Sequence, residues 1–299
     1  MIVLARYIMA GPAQATLVTV VMALLALLMP PLAWISAAAV ALVALQLGAQ
    51  RGLQLIGLAS VAGLLLGWLI FGAPLMVFGL ILLIWLPIWI AALVLRQSVS
   101  LTLAMQAITG LGVLTLLMVM LIYPQLQTEM NADLQKMMQP MLEQQTDAVV
   151  RQELQDTVTQ VLRLMPALVA SGMMLSTAIG LLLARHWQAR LYNPGGFARE
   201  FNQLRLGRVM AAASIALIVA ALALDTDLLV MLSVILISIY LVQGMALIHG
   251  LIAVREASRG WLFAVYIGLI LLPQVIILPI AFFGMSDAWI DFRRRLNSN

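Results

Sequence analysis

Few side chains in the apolar parts of this chain could do chemistry. His249 is the one titratable candidate inside a hydrophobic run, and Tyr240 and Gln243 precede it on the same predicted helix. An imidazole changes charge near neutral pH, and a phenol and a carboxamide can both donate and accept, so Tyr240, Gln243 and His249 are candidate ligand-binding residues. Tyr240 and Gln243, three apart, share a helix face; His249, six beyond Gln243, falls on a different one. A lone His near a helix end serves equally as a hydrogen-bonded packing residue. An ionisable group inside a membrane span marks function by default, yet no Asp, Glu, Lys or Arg falls well inside a predicted span. That points away from proton relays, ion-coupled carboxylates and acid–base catalysis, and so away from an enzyme. With no Cys, no metal-ligand spacing, no nucleophile elbow and no dinucleotide fingerprint, neither a metal nor a cofactor is expected.

The remaining chemistry is cationic. Asn193-Pro194-Gly195-Gly196-Phe197 reads as a tight turn, and the phosphate-loop signature with its Lys-Ser/Thr is missing there. Arg185, His186, Arg190, Arg199, Arg205 and Arg208 surround the turn, opposed by Glu200. Asn193, Gly195, Gly196, Arg199, Arg205 and Arg208 are therefore candidates for contact with an anionic lipid or a protein partner, although the same arginines can simply set topology.

The elements that must position these residues are apolar helices. The chain has 299 residues, 64% hydrophobic and 9% charged, against roughly 25% charged in a soluble domain. Backbone groups in lipid must be satisfied within their own segment, and runs such as Leu228 to Ile239 do not alternate as barrel strands would. The expected fold is an all-α polytopic bundle of about nine spans in the lipid bilayer. The net charge of +4 then reports basic loops rather than nucleic-acid binding. Residues 1–123 form an N-terminal bundle of about five spans, 124–163 an acidic amphipathic insert broken near Pro140, and 164–299 a C-terminal bundle carrying the basic loop 184–208. Trp85 and Trp89 are expected near headgroup level, with a kink at Pro87. Ala33, Ala37, Ala41, Ala44 and Gly48 line one helix face, and such a stripe permits close backbone approach. It reads either as packing between neighbours in this chain or as a docking face for another subunit.

Topology follows from arginine. With the N-terminus in the cytoplasm, Arg6, Arg51, Arg96, the 185–208 loop and the 255–259 loop lie inside, while the 124–163 insert, Asp225 and Asp227 lie outside. The tail with Arg293 to Arg295 is ambiguous. A single span over 261–283 places it outside; a helical hairpin broken at Pro273 or Pro279 returns it inside.

Three short stretches carry a resemblance. Asn193 to Phe197 with Phe201 to Arg208 (FNQLRLGR), Gln243-Gly244, and Gly284-Met285-Ser286-Asp287 through Asp291-Phe292-Arg293 together resemble the YybS-like family of uncharacterised bacterial membrane proteins. The resemblance implies an integral protein of the bacterial cytoplasmic membrane. That family is distantly similar to substrate-binding subunits of energy-coupling vitamin transporters, which implies uptake of an unidentified small molecule. The expected function is a binding or permease subunit without its own ATPase, with a non-transporting scaffold or assembly factor as the alternative.

Overall fold

The computed structural model describes residues 2–72, 74–122, 128, 132–133, 136–140, 147–258 and 260–297, with backbone alone at 71, 74–78, 80–82 and 296–297. Among the described residues all regular structure is helical. The elements are α1 (Ile2–Met9), α2 (Pro12–Leu25), α3 (Leu32–Leu47), α4 (Ala49–Phe71), α5 (Pro74–Ser98), α6 (Leu101–Ile122), α7 (Ala148–Tyr192), α8 (Gly196–Asn202), α9 (Arg208–Leu224), α10 (Asp227–Val254), α11 (Gly260–Leu271), α12 (Pro273–Ile290) and α13 (Phe292–Asn297). Five of them, α4, α6, α7, α10 and α12, are long and apolar enough to cross a membrane, and the whole is a multi-pass helical membrane bundle. The insert helix expected ahead of Pro140 lies mostly outside the described residues.

α3 is the axis of the N-terminal half, packed on α2, α4, α5 and α7. Its residues from Ser36 to Leu45 are all buried, as befits a helix that is apolar on every side. Three residues of the small-residue stripe, Ala37, Ala41 and Ala44, are enclosed within the chain, whereas Ala33 and Gly48 are half-buried. Gly180 of α7 comes so close that an added Cβ would stand 3.1 Å from that of Ala37. A buried polar chain ties three helices, with Trp85 Nε1 donating to Ser36 Oγ (2.9 Å) and Ser36 Oγ to Thr19 O (2.7 Å). Trp85 is thus a core residue rather than a headgroup marker, because its one donor finds a buried acceptor. Trp89 Nε1 donates to Ala49 O, at the first residue of α4. α5 continues through Pro87 without a break.

The second insert helix and the sixth predicted span are one element, the 45-residue α7. Asp147 caps it by accepting from Val149 N at 2.9 Å. At about 1.5 Å per residue it is roughly 67 Å long, against roughly 30 Å for a hydrocarbon core, so it projects well past the bundle. Arg163 pins it at that end. Its guanidinium reaches Asp227 Oδ1 at 2.6 Å and Asp225 Oδ1 at 3.0 Å. These three residues therefore share one end of the molecule.

The last apolar run is the hairpin alternative. It breaks at Leu272, and Pro273 opens α12 at the first helical position, where its missing N–H is not needed. Gly268 of α11 packs directly on Ile276 of α12. α12 then runs along α10 and delivers Arg293 to the carbonyl of Leu204. The Arg293 to Arg295 cluster accordingly begins at the end occupied by the 185–208 loop.

Candidate functional site

Two places in the fold gather chemistry. The first lies between the loop after α8 and the start of α13. Leu204, Arg205 and Leu206 form a non-helical strap whose backbone is held almost entirely by distant side chains. Thr102 Oγ1 donates to Arg205 O (2.9 Å), Gln106 Nε2 to Leu206 O (2.8 Å), and the Arg293 guanidinium to Leu204 O (3.3 and 3.4 Å). Leu206 N donates to Gln243 Oε1 at 2.8 Å. Buried backbone groups outside a helix must find such partners or cost the fold a desolvation penalty.

Gln243 spends its other end on the same junction: its Nε2 donates to Gly284 O. Gly244 and Gly284 meet there with backbone on backbone, a close approach that only residues without Cβ allow. Beneath the strap sits an ionic cluster. Asp287 has no exposed surface, and its Oδ2 lies 3.2 Å from Arg205 Nε and 3.1 Å from Arg293 Nη1. Its Oδ1 accepts from Phe292 N at 3.1 Å. Arg205 also pairs with Asp291.

Of the stretches that carried the resemblance, Leu204 to Arg208, Gln243-Gly244 and Gly284 through Arg293 come together in one junction, while Asn193 to Phe197 form the turn that leads into α8. Of the residues singled out by sequence, Gln243 and Arg205 are built into it, and Arg208 touches its rim by donating to Ala288 O at 3.2 Å. Asp287, Arg293, Thr102 and Gln106 were not singled out as site residues. Asp287 and Arg293 stood inside a noted motif, but Thr102 and Gln106 find partners about a hundred positions away.

The Asp291 carboxyl is held down to about 2, chiefly by its hydrogen bond from Arg205. A depressed carboxylate stabilises the fold fully above its ordinary range, near 3.8, and loses that contribution as the pH falls through its folded value. Acid should therefore loosen the junction between pH 4 and 2. Hydrogen exchange of the 204–208 amides across that window measures it, and Asp291→Asn should show a smaller change.

Of the other two candidates on α10, Tyr240 brings its carbonyl to the Gly244–Gly284 crossing. Tyr240 is wholly buried. His249 closes an aromatic ladder, His186–Phe197–Phe201–His249–Tyr266, with ring centroids 5.4 to 5.9 Å apart. Its Nδ1 faces Met245 O at 2.9 Å. The Asn193–Gly196 segment is a turn, with Gly196 N donating to Asn193 O at 3.0 Å and Gly195 at a φ of 83°. Arg199 is exposed on α8.

The second place is a cavity of about 780 Å³ between α2, α3, α5 and α7, towards the Arg163 end. Leu24, Leu27, Pro31, Ala33, Trp34 and Ala37 form one side; Ile84, Gly172, Met173 and Ser176 form another. Ala33 and Ala37 of the stripe thus line a space as well as a contact. The wall is apolar apart from a few hydroxyls, and Thr177 already donates to Met173 O at 2.9 Å. Such a surface suits a hydrophobic or weakly polar molecule. Among the described residues no group of three or more His, Cys, Asp or Glu could hold a metal ion.

No curated protein and no solved structure matches the chain. A family model described as a predicted membrane protein, DUF2232, matches residues 17–288, which takes in the cavity, the strap, the Gly244–Gly284 crossing and Asp287. The chain therefore belongs to the DUF2232 family of membrane proteins.

Proposed function

We propose that the protein binds a hydrophobic or amphipathic small molecule inside the bilayer and acts as a binding or permease subunit without an ATPase or any catalytic step of its own. The cavity of about 780 Å³ carries this reading, since ligand sites in proteins are typically concave, mostly apolar and roughly 300–1,000 Å³. Its lining comes from four helices, α2, α3, α5 and α7, and is apolar enough to receive a molecule that partitions into lipid. In this reading the Arg-rich end faces the cytoplasm of a bacterial inner membrane, as the placement of arginine favours.

Gly172 lines the cavity, and a Cβ there would meet open space. Gly172→Phe should fill the site without straining the fold. The test is thermal unfolding of the purified protein across a panel of vitamins and lipophilic metabolites. A stabilising compound should appear for the parent chain, and its apparent affinity should fall at least about tenfold in Gly172→Phe while the unliganded Tm holds. A panel with no hit, or a hit indifferent to Gly172→Phe, would sink the reading.

The projecting part of α7 supports a second reading, a membrane scaffold. Residues from Ala148 to Val161 stand largely exposed beyond the bundle, a shape suited to holding a protein partner. Crosslinking from this segment separates the two, because a scaffold yields a defined membrane complex even when the cavity is filled.

A further inference from the structure

A smaller and more polar recess opens at the arginine end, where α3, α5 and α7 finish together. It holds about 290 Å³ and is lined by Leu45, Leu95, Arg96, Val99, Arg185 and Gln188, with Tyr192, Asn193 and Glu200 at its edge. We propose that this recess is a binding site for a phosphate group, held between the guanidinium groups of Arg96 and Arg185.

Three observations point there. Arg96 is fixed in place because its Nη1 donates to Leu45 O at 2.6 Å, which caps the end of α3. Its Nε and Nη2 have no acceptor among the described residues, so that edge of the fork is available to an oxyanion. Arg185 is held in register by Gln188 Oε1 at 3.2 Å, and its other edge is met by both oxygens of Glu200. A bidentate carboxylate on an arginine fork occupies the position a phosphate oxygen pair would take. Glu200 is on the short α8, and rotation of its side chain alone would free that edge of Arg185. Finally, Leu45, Leu95 and Val99 give the recess an apolar wall beside its cationic one. This pairing fits a phosphate that carries an apolar ester, and basic recesses between helices on one membrane face recognise lipid headgroups in this way.

The phosphate can come from an anionic lipid or from solution, and the experiment separates them. Full-length protein stripped of lipid in detergent is titrated, under native mass spectrometry, with phosphatidylglycerol, phosphatidylcholine or inorganic phosphate. Retention of phosphatidylglycerol over phosphatidylcholine identifies a lipid source; its displacement by, or sole retention of, inorganic phosphate identifies a soluble one. Arg96→Gln removes the guanidinium fork and should weaken retention about tenfold. Glu200→Gln removes the competing carboxylate and should tighten it several-fold, a gain that misfolding cannot produce. Arg255→Gln, exposed at the end of α10 and outside the recess, should change nothing. The proposal is overturned if no probe is retained, if Glu200→Gln fails to tighten binding, or if Arg255→Gln weakens it as much as Arg96→Gln.

Discussion

Replacing Gly244 by Ala should cost the fold on the order of 3 kcal/mol or more. On an ordinary helix the change would be favourable by up to about 1 kcal/mol, because Ala is the better helix former. Here the added methyl would be driven into the carbonyl oxygen of Ile280, and a Cβ on Gly284 would stand 2.6 Å from both Gly244 N and Tyr240 O. These neighbours are backbone atoms of two long helices and cannot rotate away. α12 would have to lift off α10, taking with it the carbonyl that receives Gln243 and the carboxylate of Asp287. The measurement is the unfolding midpoint in mixed micelles together with the monodisperse fraction on size exclusion. Gly57→Ala and Gly110→Ala are the controls, since a Cβ at either meets nothing within 4 Å. Equal behaviour of all three variants would show that the crossing is looser than described.

Asp287→Ala should be comparably damaging, by about 3–5 kcal/mol. Asp287 has no exposed surface and Arg293 has 7%. Removing the carboxylate leaves a buried guanidinium without its counter-charge and Phe292 N without its acceptor. Most of the cost comes from the stranded cation rather than from the lost attraction. Asp287→Asn combined with Arg293→Met should therefore be far less destabilised than Asp287→Ala alone, although it lacks the ion pair altogether. Thermal unfolding of Asp287→Ala, Asp287→Asn, Arg293→Met and the Asp287→Asn/Arg293→Met double measures this, the last three closing a double-mutant cycle with the parent. If the double variant proves worse than the single one, the attraction itself dominates and the desolvation argument fails.

Much of the fold was legible because lipid demands long apolar helices and arginine gathers at one end. α10 reads directly as a continuous run from Leu228, and the charged residues at 163, 225 and 227 fall together as topology required. What stayed hidden depends on contacts that have no period. Two prolines interrupt the last apolar run, and composition does not say which one breaks it. Pro273 does, because it can start a helix, whereas Pro279 is carried inside α12. Trp85 looked like an interface residue because Ser36, its acceptor, lies 49 positions away. The same holds for the junction. Gln243 was visible as a polar residue in an apolar helix, but its partners are the backbone of Leu206 and Gly284, and no side-chain pattern announces a backbone. The cavity was equally illegible, since a void is defined by what four helices leave unfilled.

From Pro166 onward α7 is a single rod. Gly172 and Ser176 at the cavity, and Arg185 and Gln188 at the polar recess, belong to one uninterrupted stretch below Pro166. Tilt imposed at one level must appear at the other, as with a lever, whereas Pro166 lacks the amide that would stiffen the joint above. A spin label at Arg190 should register cavity filling, while one at Val150, beyond the compliant joint, should stay silent; the reverse pattern would show that the rod does not carry the signal.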